Sequence, residues 1–84
     1  MIHKELVEKF DGTMAELAED IGDLRYDALA EFLHLLAQKI EKDGDKDKAR
    51  GRVKLARELH GCAHDLRLGK IAIDKAWEIS EPFM

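Results

Sequence analysis

Residues 24–45 read LRYDALAEFLHLLAQKIEKDGD, and this stretch decides the fold. Its apolar side chains recur every three or four residues, the spacing that places them on one side of an α-helix: Leu29, Phe32, Leu33, Leu36 and Ile40. Gly44 suits the left-handed position that follows a helix C-terminus, and Asp45 suits the N-cap of a following helix. The stretch therefore predicts a helix over residues 24–42 that ends at KDGD.

Helical spacing of apolar residues continues on both sides of this stretch, and no segment alternates with a period of two. We therefore predict an all-α protein, a small helical bundle that forms a single domain over residues 1–84. A second long helix is predicted over residues 46–68, and the short connection makes the two long helices an antiparallel hairpin. The sequence also predicts short helices before and after the hairpin: one around Ile2, Leu6 and Phe10, one from the capping-box residues Thr13 to Glu16 onward, and one over residues 70–80.

The residues between 13 and 42 permit two arrangements. Gly22 and Asp23 either end one helix and begin the next, with Asp23 as its N-cap, or form a weak point within one long helix. The pattern leaves the choice between these two arrangements open.

The composition is that of a small helical protein. Apolar residues make up 45% of the 84 residues and charged residues 38%, with a formal net charge of −4. A chain of this length buries only about 60–65% of the surface that its unfolded form exposes, so its core is small. With one cysteine, a charged N-terminal segment and no long apolar run, the sequence predicts no disulfide, no signal peptide and no membrane span. We therefore expect a cytoplasmic protein.

His60, Cys62 and His64 lie close enough in sequence to suggest a metal site. A helix advances about 100° per residue, so the two histidines lie about 40° apart, whereas Cys62 lies about 160° from each. A zinc site needs a further ligand, and the spacing of Glu31 and His34 resembles one ligand pair of di-iron bundles, which use two such pairs. We therefore predict no metal and no cofactor, with His60, His64 and His34 as the candidates if a metal is shared. Cys62 is predicted to be a small buried hydrophobic residue.

An acidic ladder follows the capping box, with members three or four residues apart: Glu16, Glu19, Asp20 and Asp23. Like charges at this spacing repel each other, and Mg²⁺ would relieve the repulsion. The pattern resembles in part the acid-rich helices around Mg²⁺ in all-α nucleotide pyrophosphohydrolases, through residues 20–23 and residues 5–8. The resemblance implies an alternative function, a Mg²⁺-dependent nucleotide or phosphate-ester hydrolase. The simpler interpretation is a solvated face or one that forms salt bridges.

A basic stripe is predicted on helix 46–68, where six basic residues between positions 46 and 57 accompany a single acid. Its members are Lys46, Arg50, Lys54 and Arg57. The stripe either pairs with the acidic ladder, within a chain or across a dimer, or binds phosphate on a nucleic acid or a small anion. The acidic total and the lack of interleaved aromatic residues favour the first alternative.

The apolar arc of helix 24–42 spans more than half of its circumference, whereas an ordinary surface helix needs a stripe of about 100°. Either the short terminal helices cover this arc, or it contacts another protein, and both can hold. We therefore predict a protein-interaction module that forms a homodimer, and we do not favour an enzyme. The interface candidates share this arc: Leu29, Phe32, Leu33, Leu35, Leu36 and Ile40.

Overall fold

The structure, a computed structural model, describes residues 3–84 and is built on a long helical hairpin. Its helices are α1 (Met14–Gly22), α2 (Tyr26–Ala49) and α3 (Val53–Ser80), followed by a 3₁₀ turn over Glu81–Phe83. The helices α2 and α3 pack together and run antiparallel. The predictions of an all-α protein and of two long paired helices are confirmed, although both helices are longer than predicted. We call the turn between α2 and α3 the tip, and the other end of the hairpin the open end.

The start of α1 follows the capping-box prediction. Thr13 Oγ1 accepts a hydrogen bond from Glu16 N at 3.1 Å, and Thr13 N donates one to Glu16 Oε1 at 2.9 Å. The helix ends at Gly22, with Asp23 as its C-cap, and α2 begins at Tyr26. Residues 13–42 therefore form two helices rather than one.

Two predicted terminal helices are not formed as expected. Residues 3–12 contain turns and bends, so the helix predicted around Leu6 and Phe10 is wrong there, while Ile2 lies outside the described residues. A helix this short is unstable in water unless it packs against other elements. At the other end of the chain, α3 passes through Gly69 without a break and ends at Ser80. The predicted end at residue 68 and the separate helix over 70–80 are therefore wrong.

The turn of the hairpin lies at residues 50–52 and not at Gly44. Gly51 has a φ of 80°, the left-handed conformation that glycine adopts without steric cost. Arg52 N donates a hydrogen bond to Asp47 O at 2.8 Å, and Gly51 N donates one to Lys48 O at 3.0 Å, which together form a Schellman motif. Gly51 thus ends α2, and the predicted end at residue 42 is wrong.

Gly44 is buried within α2, where the close approach of α3 explains its presence. A Cβ at this position would lie 2.5 Å from Cδ2 of His60. Glycine within a helix costs about 1 kcal/mol relative to alanine. At residue 44 a side chain would cost more than the glycine does, because the imidazole ring of His60 occupies the space that a side chain would need.

Small residues form the seam, which is our name for the contact line between α2 and α3. The buried apolar residues in the described part of the chain are all alanines: Ala30, Ala37, Ala56 and Ala63. With Gly44 they recur every seventh residue on each helix, the period of a coiled coil. Small side chains let two helix axes approach closely, so the seam is narrow. No large side chain within residues 3–84 is fully buried.

The resulting molecule is thin and elongated. Its radius of gyration is 15.2 Å and its principal extents are 49 × 29 × 14 Å, whereas a compact domain of this length has a radius of gyration of about 12 Å. Its accessible surface is 6850 Å², against about 5,100 Å² for a compact monomer of the same mass. A single helix with its side chains is about 10–12 Å across, so the hairpin is one helical layer thick.

Candidate interaction surface

The hairpin has a polar face and an apolar face. On the polar face, His60 Nε2 donates a hydrogen bond to Asp45 Oδ1 at 2.9 Å, and Arg67 Nη2 donates one to Glu41 Oε2 at 2.7 Å. Both pairs join α2 to α3 across the hairpin. The apolar face lies on the opposite side of the hairpin from these two ion pairs. It comprises Leu29, Phe32, Leu33, Leu36 and Ile40 of α2 with Leu55, Cys62, Leu66, Gly69 and Ile73 of α3.

A shallow groove of about 450 Å³ runs along the apolar face, and acidic side chains form part of its rim. Its lining comprises Leu33, Glu58, Gly61, Cys62, Asp65, Leu66 and Gly69. The thiol of Cys62 is exposed in this groove, so the prediction that it is buried is wrong. The reason is that α2 approaches α3 along Ala56 and Ala63, about 100° away from Cys62 around the helix.

The predicted interface residues of α2 differ in exposure. Leu35, on the outer edge of the helix, is 53% exposed and Phe32 is 36% exposed. The other four are half-buried: Leu29, Leu33, Leu36 and Ile40. The helix α3 covers one edge of the predicted arc, the edge that carries Ala30 and Ala37.

Sequence reasoning missed the apolar surface of α3. Large apolar side chains there are about half exposed or more: Leu55, Leu68, Ile71 and Ile79. The signal that could have found them is their position, because Leu68 and Ile79 lie about 120–160° around the helix from Ala56 and Ala63. A helix that carries apolar residues on several sides exceeds what one neighbouring helix can cover.

The candidate metal ligands are not brought together. His60 is half-buried and hydrogen-bonded to Asp45, whereas His64 is exposed on α3. His34 lies eleven residues before Asp45 in α2, which is about 16 Å along the helix axis. Within residues 3–84, no three histidine, cysteine, aspartate or glutamate side chains form a group that could hold a metal ion.

The four acidic candidates lie in α1 and at its C-cap, where they are exposed: Glu16, Glu19, Asp20 and Asp23. Glu16 is engaged in the capping box. The hydrogen bond that Thr13 N donates to it holds the pKa of its carboxyl below the ordinary value of 4.5. That bond satisfies a backbone donor at the helix N-terminus, which accounts for Glu16 without a cation.

The hairpin turn divides the predicted basic stripe. Lys46 lies in α2, Arg50 is its C-cap, and Lys54 and Arg57 lie in α3. The prediction of one stripe on one helix is therefore wrong, because α2 continues to Ala49. Lys46 and Arg50 instead line a cavity of about 270 Å³ at the tip, together with His3, Ile40, Asp43, Asp47, Arg52, Leu55 and Leu59.

At the open end, Arg25 connects the start of α2 to the end of α3. Its guanidinium donates hydrogen bonds of 2.6 and 2.8 Å to Asp27, and it lies 5.3 Å from the ring centroid of Trp77. The hydrogen bonds from Arg25 hold the pKa of Asp27 below its ordinary value of 3.8. A cation over an indole face is attracted to it, so this contact helps to close the open end.

Comparison with known proteins gives no family model that matches the chain, and no curated protein or solved structure that is similar to it. Among the described helices, none combines the length and the apolar character that crossing a membrane requires.

Proposed function

We propose that the protein is a helical protein-interaction module that acts as a homodimer, with the apolar face of the hairpin as its contact surface. The observation that carries the proposal is the contrast in side-chain size. The seam buries alanine and glycine, while the larger residues of the apolar face and the outer edges remain partly exposed. A helical layer must bury its apolar side against a second layer, and one hairpin supplies a single layer.

The excess surface agrees with a homodimer. Each chain exposes about 1,700 Å² more than a compact monomer of its mass, taking 6850 Å² against the expected surface. Two such chains together have an excess of about 3,400 Å², which lies within the range of about 2,000–5,000 Å² that permanent dimers bury. Two hairpins packed through their apolar faces would form a four-helix bundle. We place this module in the cytoplasm, where a reducing medium would keep the thiol of Cys62 free.

The test is the mass of the untagged protein, measured by native mass spectrometry and by sedimentation over a hundredfold range of concentration. We expect a dimer for the wild type and a monomer for Leu55→Glu, which places a charge on the apolar face. Val53→Glu is the matched control, because Val53 is also in the first turn of α3 and is 54% exposed, but lies away from the apolar face. A monomeric wild type, or equal loss of the dimer in both variants, would overturn the proposal.

A second candidate function, anion binding at the tip, is favoured by the cavity there. Lys46, Arg50, Arg52 and His3 line this cavity beside apolar side chains. The two carboxylates in its lining already have cationic partners, since Asp43 pairs with Lys39 and Asp47 with Arg52. Lys46 and Arg50 would therefore be the groups that accept a phosphate attached to an apolar group. Inorganic phosphate, titrated at millimolar concentration, should then shift the amide NMR signals of residues 46–52 and leave those of α1 unchanged. Arg50→Gln should remove the shifts. Wild-type signals that do not move would exclude this candidate.

A further inference from the structure

The hairpin carries opposite charges at its two ends. Residues 46–57, around the tip, contain six basic residues and one acid, a net charge of +5. Residues 13–31, which include α1 and the start of α2, contain six acids and one base, a net charge of −5. Residues 74–84, at the end of α3, contribute a further −2. These charges are distributed along a molecule whose longest extent is 49 Å.

Contacts within the chain leave most of these charges unpaired. At the tip, Arg52 pairs with Asp47. The other basic residues there form no ion pair within residues 3–84: Lys46, Lys48, Arg50, Lys54 and Arg57. At the acidic end, the same holds for Glu19, Asp20, Asp23, Glu31, Glu78 and Glu81. Each end therefore presents a surface of one predominant charge to solvent.

Helix dipoles do not account for several of these charges. A helix N-terminus favours acidic residues and a C-terminus favours basic ones. Lys46 and Lys48 follow this rule in the last turn of α2. The rule is broken by Lys54 in the first turn of α3, by Glu78 in its last turn and by Asp20 in the last turn of α1. A surface of opposite charge on a partner would offset these unfavourable placements.

We propose that the two copies of the chain pack antiparallel, so that the basic tip of each lies against the acidic open end of the other. This inference rests on the proposed homodimer and specifies its arrangement. A parallel pair would place tip against tip and open end against open end, and like charges would repel at both. The two-fold axis of the antiparallel pair crosses α3 near its middle, close to Gly69. Apart from its chain neighbours and the backbone of its own helix, no atom of residues 3–84 lies within 4 Å of the position that a Cβ at Gly69 would occupy, so the backbone is open to a second copy there.

Disulfide cross-linking tests the arrangement directly. In a Cys62→Ser background, Leu55→Cys places a thiol on the apolar face near the tip, and Ser80→Cys places one on the same side of α3 at the open end. The two positions are about 38 Å apart along the helix. We expect a disulfide when the two single-cysteine chains are mixed, and little when either is oxidised alone. A disulfide between two copies of the Leu55→Cys chain, or a dimer that forms no mixed disulfide, would overturn the antiparallel arrangement.

The strength of the dimer gives a second test. Replacing Arg50 and Lys54 together by glutamine should raise the dissociation constant about tenfold, because attraction at both ends is lost. The control is Lys42→Gln, which removes an exposed charge from α2 outside residues 46–57. Raising the salt concentration from 0.05 to 0.5 M should weaken the wild-type dimer as well, because the Debye length falls to about 4 Å. A tighter dimer after either change would indicate a parallel pair. A monomeric wild type would instead refute the homodimer itself, so the two failures are distinguishable.

Discussion

The seam and the apolar face lie side by side on the same two helices, yet they use apolar residues in opposite ways. At the seam Ala37 is completely buried and Gly44 accommodates the ring of His60, so the backbones are close and the side chains small. On the apolar face Leu55 remains 47% exposed. The seam therefore holds one chain together, whereas the apolar face offers area that a second chain can bury. Substitutions at the seam should change the stability of the fold, and those on the apolar face should change association.

The largest effect is expected from Ala37→Leu. Ala37 has no exposed surface, and added carbons in a tightly packed contact cost about 1–3 kcal/mol because the neighbouring elements must move apart. We expect a loss near the upper end of that range in the free energy of unfolding by urea, measured at one fixed protein concentration. Ala72→Leu is the control, because Ala72 is exposed on α3. Similar values for the two variants would show that the seam is not tightly packed.

Gly44→Ala tests whether the ring of His60 is what requires glycine in α2. The new Cβ would lie 2.5 Å from Cδ2 of His60, and we expect a loss of about 1–2 kcal/mol in spite of the better helix propensity of alanine. The substitution His60→Ala should cost less in this background than in the wild type, as a double-mutant cycle would show. Gly22→Ala is the control and should stabilise the chain by up to about 0.5 kcal/mol, since Gly22 lies in α1 and its Cβ would meet no atom within 4 Å outside its own helix backbone and chain neighbours. Additive effects at positions 44 and 60 would contradict this account.

Gly51→Ala should have a smaller effect than Ala37→Leu and an effect no larger than that of Gly44→Ala, because it alters the tip and leaves the seam intact. Gly51 has a φ of 80°, and a residue with a Cβ pays about 1–2 kcal/mol in the left-handed conformation. Asparagine tolerates that conformation better, so Gly51→Asn should lose less than Gly51→Ala in the same urea measurement. Equal losses for the two variants would mean that the turn adopts another conformation.

These two glycines show how far the sequence determines the structure. The capping box at Thr13 depends on neighbours in sequence and was predicted correctly. Which of Gly44 and Gly51 ends α2 depends on contacts with His60, which is distant in sequence. Local turn chemistry alone favoured Gly44, which is the wrong glycine. The seven-residue spacing of Ala30, Ala37 and Gly44 is the sequence signal that would have indicated a continuous helix.

The same limit applies to the candidate surface. Helical geometry placed Cys62 correctly on the side away from His60 and His64. Whether that side is buried depends on where α2 lies, which no local pattern states. The apolar residues of α3 were missed for a related reason, because the sequence predicts a helix end at residue 68, just before Gly69. An exposed glycine within a helix carries no such signal, so the continuous length of α3 was not recognised.

Acidification should have the smallest effect on the stability of the fold, where it acts through the polar contacts within the chain. Hydrogen bonds from Arg25 and Lys39 hold the pKa values of Asp27 and Asp43 below the ordinary 3.8. Between the lowered and the ordinary pKa, the unfolded chain binds more protons than the folded chain. The contribution of these two carboxylates to the free energy of unfolding is therefore fully present well above pH 4, and it is lost as the pH falls through the lowered values. Urea unfolding at pH 6 and pH 3 should show this decrease, and Asp27→Asn should reduce it. Because both carboxylates are on the surface, the decrease should be smaller than the loss caused by Ala37→Leu. A decrease larger than that loss would mean that charged contacts, rather than the narrow seam, dominate the stability of the hairpin.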